Sequence, residues 1–160
     1  MLFSILTFCN LYGIEIYANT KISYLDKLIK LNNKLLRILQ HKPITTPVFE
    51  LYKSYYTLPI PLLHKQQLLL FAHNFIHHPK LLPEVFINNK FFTFNEEIHN
   101  YEIRTKTNIH LYHSNTTSGL RTIKHKAAVL WNELPPSIQN IKSISNFKKK
   151  IKMYLLTKEY

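Results

Sequence analysis

Residues 21–40 read KISYLDKLIKLNNKLLRILQ, and their periodicity decides the fold class. Ile22, Leu25, Leu28, Ile29, Leu31, Leu35, Leu36, Ile38 and Leu39 fill one broad face at helical spacing, which predicts an amphipathic helix. Outside that face, Lys27, Lys30, Lys34 and Arg37 recur at spacings 3, 4 and 3. They share an arc of about 80° and form a ridge about 15 Å long. Such a ridge can track a nucleic-acid backbone, each phosphate contact adding to a salt-dependent affinity. A solvated face that keeps a core helix soluble has the same pattern.

Working outward, the same period returns in other segments. Residues 1–17 run apolar into YGIEIY, where Gly13 marks a kink, an end or a close backbone approach. Pro47 suits a first helical turn, with Thr46 as N-cap, opening a short helix through VFELYKSY. Pro61 opens a longer helix through LLHKQQLLLFAHNFIHH that stops before Pro79, and LLPEVF at 81–86 adds a turn. Residues 87–120 are rich in Asn, Thr, His and aromatic residues without clear period, so NIHLYHSNTTSG reads as a strand or an ordered loop. From about residue 121 a helix resumes through KHKAAVLWN, ELPP stops it, and a last helix spans about 145–158. The expected fold is mainly α, in three parts. Residues 1–86 are a bundle-like helical segment, 87–120 a loop-rich insert, and 121–160 two C-terminal helices joined by a corner.

Composition limits the chemistry. In 160 residues, 21 Lys and Arg against 9 Asp and Glu leave a net charge of +12, and the pI is about 9.8. That excess favours polyanionic partners, nucleic acid before an acidic membrane surface. Cys9 is the only cysteine, which excludes an intrachain disulfide and a Cys-rich zinc knuckle and fits an intracellular setting, nuclear or cytoplasmic. The opening MLFSILTF lacks a basic leader and a small-residue cleavage site, so it reads as buried helix rather than signal peptide, and the abrupt start suggests a piece of something longer. Asp26 is the only aspartate, so no Asp pair can hold two metal ions for nucleotidyl transfer. Gly13 and Gly119 are the only glycines, too few for a phosphate loop. His73 and His77, at i and i+4, could in principle share a metal, but Asn74 stands where an HExxH site holds its Glu. No catalytic set, metal or cofactor is expected.

Two further basic groups complete the inventory. In the last helix Ile144, Phe147, Ile151 and Tyr154 form the apolar seam, with Ser145 as cap, while Lys148, Lys149 and Lys152 cover the opposite face and Lys150 its margin. That face suits phosphates, an acidic membrane or a partner, and equally a helix closing the core. The other group gathers Arg104, Lys106, Arg121, Lys124, His125 and Lys126 with Tyr101, His110, Tyr112 and His113. Aromatics among cations in a loop suit unpaired nucleotides, or anchor a long loop. Between the two, Trp131 is expected to bury its indole where the helix ends, Asn132 to cap that end, and Pro135 to redirect the chain.

Five short motifs stand in a telling order: YGIE at 12–15, LNNKLLRIL at 31–39, LPIPLL at 58–63, IHNYEIRTK at 98–106 and LWNELPPSIQ followed by NFKKKIKMYLL within 130–156. In that order and spacing they resemble the C-terminal region of non-LTR (LINE-type) retrotransposon reverse transcriptases, among the jockey-, CR1- and RTE-like elements. The resemblance spans nearly the whole chain. Tyr17 stands where the family usually has Trp, Ile103 where it has Thr, and Asn32 or Asn33 where it has Gln. The resemblance implies a thumb and post-thumb segment whose helices hold a template–primer backbone, while the palm that performs polymerisation would precede residue 1. It assigns backbone contact to Lys27, Lys30, Lys34 and Arg37, and RNA or target contact to residues 87–126 and the last helix. The other reading of the same residues is a free-standing basic helical module that meets a protein or an acidic membrane.

Overall fold

A computed structural model describes residues 13–20, 22–99 and 104–159. The expected helix at the N-terminus, Cys9, Tyr101 and Ile103 lie outside the described residues. The fold is mainly helical, as the periodicity predicts, and among the described residues the only β pairing is an isolated antiparallel bridge between Phe94 and Ile109. The chain divides into two compact units: Met1–His64 with Lys152–Tyr160, and Lys65–Ile151.

The first unit opens at Gly13, whose φ of 66° is a conformation that L side chains rarely adopt; no neighbour lies close enough to meet an added Cβ. Its carbonyl accepts the Tyr17 N–H as α1 (Ile14–Tyr17) begins. Helix α2 (Ile22–Leu39) follows the predicted bounds closely. Its buried strip is narrower than the pattern suggested: Leu25, Asn32 and Leu36 are buried, whereas Leu31 and Ile38 are exposed. The reason is the size of the element it packs on, since α3 (Val48–Ser54) has seven residues. Leu36, Leu51 and Tyr52 form the apolar contact, with Val48 at its edge.

A polar relay locks that contact. Asn32 Nδ2 donates to the Tyr52 hydroxyl at 2.7 Å, and the hydroxyl donates to Asn33 Oδ1 at 2.7 Å. A buried amide is tolerated there because its donor is satisfied. Gln40 Nε2 donates to the Leu51 carbonyl at 2.7 Å and ties the end of α2 to α3. Pro47, not Thr46, occupies the N-cap of α3, with no side-chain cap. Thr46 is instead buried, and its carbonyl accepts from Arg37 Nη2 at 3.1 Å. The same unit buries Leu58, Ile60, Leu62 and Leu63 where α4 (Ile60–His77) starts, and Leu155 near the end of α10 (Ile144–Glu159).

In the second unit α4 buries Leu68, Leu69, Ala72 and His73, and it ends before Pro79. A 3-10 turn (Pro79–Leu81) and α5 (Glu84–Asn88) then bring Phe86, Phe91 and Phe92 around Phe71, with ring centroids 5.4–5.9 Å from it. A single-turn helix, α6 (Asn95–Ile98), follows. Residues 108–119, read as a strand or an ordered loop, form a loop that contributes only Ile109 to the bridge and runs into a second single-turn helix, α7 (Thr117–Leu120). Helix α8 (Ile123–Asn132) is capped by Thr122, whose hydroxyl accepts the His125 N–H at 3.3 Å. The double proline then starts α9 (Pro136–Gln139). In α10 the Ser143 carbonyl accepts the Phe147 N–H, so Ser145 lies inside the helix rather than at its cap. Phe147 and Ile151 are buried, as are Ala127, Ala128, Trp131 and Leu134.

Candidate nucleic-acid interface

The irregular loop and the start of α8 frame a small, half-open cavity of about 160 Å³ in the second unit. His110, Tyr112, His113 and Ser114 line it from the loop, Gly119 from α7, and Thr122, Lys124 and His125 from the beginning of α8. Each wall has a local cause. Asn95 Nδ2 donates to the Thr105 carbonyl at 2.9 Å, which turns Asn95 Oδ1 towards His110 Nδ1, 3.0 Å away. Nδ1 of His110 is therefore the donor, and in the neutral ring Nε2 is left as an acceptor. The Tyr112 hydroxyl pairs with Thr93 Oγ1 at 3.0 Å, and its ring meets the His110 ring edge-on at 4.8 Å. Lys124 Nζ stands 4.7 Å over the Tyr112 ring and 5.9 Å over that of Phe91.

An ammonium over an aromatic face is held without an acid to neutralise it, and so remains available to an anion. Beside it, burial pulls the Lys126 ammonium below its ordinary 10.5, and the Arg121 guanidinium adds to the effect. Arg121 and Lys126 belong to the same helix start as the cavity, although neither lines it. Arg104 and Lys106 are exposed on the turn at 104–107, away from the cavity lining.

The two predicted helical ridges are only partly realised. Lys27, Lys30 and Lys34 are exposed in the first unit, with Lys30 Nζ 2.6 Å from Asp26. Such an exposed pair contributes roughly 0–1 kcal/mol and leaves Lys30 free to exchange partners. Arg37 departs from the ridge: it is half-buried, its Nη2 holds the Thr46 carbonyl, and its Nε is buried with no hydrogen-bond partner. The reason is that Arg37 sits on the side of α2 that meets the connection to α3, so its guanidinium ties the backbone together. In α10, Lys148, Lys149 and Lys150 are exposed in the second unit. Lys152 falls in the first, with Nζ 4.5 Å over the Tyr56 ring.

The corner at LWNELPP buries Trp131 as the sequence suggests, but Asn132 does not have the role expected of it. Trp131 is buried, 5.8 Å from the Phe147 ring. Asn132 does not cap its helix. Its Oδ1 accepts the Ile109 N–H at 2.9 Å and its Nδ2 donates to the Ile109 carbonyl at 2.8 Å, so one side chain completes the backbone pairing of the loop. Gln139 provides the cap, its Nε2 donating to the Trp131 and Leu134 carbonyls at 2.8 and 3.1 Å. Pro135 occupies the N-cap of α9, and its carbonyl accepts from Ile138 and Gln139.

The histidines of α4 have a similar task. Nε2 of His73, His77 and His78 lies 2.6, 2.9 and 2.7 Å from the carbonyls of Ile141, Gln139 and Lys142. A carbonyl only accepts, so all three rings donate through Nε2. They clasp the segment 139–142, which no spacing argument foresaw. Among the described residues no group of His, Cys, Asp or Glu converges as a metal site requires. Nor is any helix among them long and apolar enough to cross a membrane.

Compared with protein-family models, curated proteins and solved structures, the chain matches none.

Proposed function

We propose that this chain is the thumb and post-thumb portion of a LINE-type reverse transcriptase, without catalytic residues of its own, that binds RNA or an RNA/DNA hybrid. The ancestry rests on the five motifs in order. The binding role rests on the cavity rim, where Lys124 stands over Tyr112 with His110, His113 and His125 around it. An aromatic face suits an unpaired base, and the neighbouring cations Lys124, Arg121 and Lys126 suit its phosphates. Lys27, Lys30 and Lys34, and separately Lys148 and Lys149, would add backbone contacts without reading sequence.

Fluorescence anisotropy with a labelled single-stranded RNA and an RNA/DNA hybrid tests this, titrated between about 50 and 200 mM salt. Affinity should fall steeply with salt. Tyr112→Ala should weaken single-strand binding by about 1–3 kcal/mol, and Lys124→Gln should flatten the salt slope by about 1. Binding that is undetectable at low salt, or indifferent to salt, overturns the proposal.

A further inference from the structure

We propose that α2 presents a docking seam for an amphipathic helix with an acidic flank, supplied by another protein. Tyr24, Leu28, Leu31, Leu35 and Ile38 recur at spacings 4, 3, 4 and 3, the repeat that lets two helices pack along a common seam. The stripe is roughly 21 Å long and about 80° wide. Three of its members are strongly exposed: Tyr24 at 73%, Leu31 at 53% and Ile38 at 59%. Scattered exposed apolar residues need no explanation, but here every seventh residue of one helix is large, apolar and wet. The helix already satisfies its own unit through another side, where Leu25, Asn32 and Leu36 are buried.

Charge selects the occupant. Lys27 and Lys34 immediately precede Leu28 and Leu35 and are exposed along one border of the stripe. In paired helices these border positions form the interhelical ion pairs that choose a partner. A basic border calls for Glu or Asp on the incoming helix, with complementarity setting specificity and on-rate. A second copy would bring the same lysines against the seam, and the net charge of +12 adds general repulsion. A nucleic acid on Lys27, Lys30 and Lys34 would leave Leu31 and Ile38 in water. The acidic helix thus covers what nucleic acid cannot, and competes with it for Lys27 and Lys34. This seam is independent of the cavity in the other unit.

The test uses the full chain and a fluorescein-labelled synthetic peptide of about three heptads, with Leu at the seam positions and Glu on both flanks. A control peptide carries Lys in place of Glu. The Glu peptide should bind, and the double variant Leu31→Ser, Ile38→Ser should weaken it about tenfold or more. Reversing the border with Lys27→Glu and Lys34→Glu should transfer the preference to the Lys peptide. Because all four positions are exposed, melting curves of the variants should overlay those of the parent. Should the double variant melt lower, Tyr24→Ser supplies the same comparison. Equal binding of parent and variants, or no preference between peptides, refutes the seam. So does a dimer in sedimentation, or retention on vesicles rich in anionic lipid, that disappears when Leu31 and Ile38 are replaced.

Discussion

Asn132 shows how much one side chain can hold. Its amide meets both the N–H and the carbonyl of Ile109. Asn132→Ala would strip both bonds and leave part-buried backbone groups unsatisfied, so the chain should lose about 2–3 kcal/mol in urea unfolding. Asn132→Asp keeps the acceptor and loses the donor, and should fall between the two. Gly119 is constrained by close approach rather than by its backbone. An added Cβ would collide with Ser114 Oγ and come within 2.9 Å of Ser114 Cβ. Gly119→Ala should therefore distort the cavity wall, lowering the melting temperature and weakening single-strand binding together. At this scale the sequence shows that Asn132 and Gly119 are distinctive, but their partners lie 23 and 5 residues away and no periodicity connects them.

Elements were largely legible, because helices declare themselves through a period that needs no partner. The bounds of α2, the stop of α4 before Pro79 and the break at ELPP all follow from local rules. What the period cannot say is how much of an apolar face a neighbour will cover. Helix α2 buries a strip set by the short α3, which turns Leu31 and Ile38 outwards and draws Arg37 inwards. The ridge thus has three exposed lysines rather than four cations, and one of them, Lys30, is paired with Asp26. Lys30→Glu with Lys34→Glu should weaken binding of an RNA/DNA hybrid and reduce the magnitude of the salt slope by about 2, whereas Arg37→Gln should lower stability and leave the slope in place. Helix α10 divides likewise: Lys148 and Lys149 face solvent while Lys152 lies over Tyr56.

For the molecule as a whole, the histidine clasp links stability to pH. His73 is buried, and desolvation holds its imidazole below the ordinary 6.5. The Ile141 carbonyl opposes that shift, the neighbouring His77 and His78 reinforce it, and Asn74 weakly offsets it. The rings of Trp131 and Phe147, 6.4 and 4.1 Å away, bring no charge from α8 or α10. Below about pH 6.5 the unfolded chain takes up the proton more readily than the folded one, so stability should fall as pH drops through that value. It should be fully present above it. Urea midpoints measured across that range should show the decline, and His73→Gln should flatten it while lowering stability throughout.

The sequence by itself determined the helical class, most element ends, the excess of positive charge and the lack of a phosphate loop or an aspartate pair. These depend on residue type and spacing along the chain, which are local properties. Tertiary structure alone decided that Arg37 ties a connection, that Asn132 pairs with a loop, that three histidines hold the segment before α10, and that Lys124 is set over Tyr112. Each of those depends on which surfaces meet. Side chains of one type do different work according to what is packed against them, and that is not written in any stretch of neighbours.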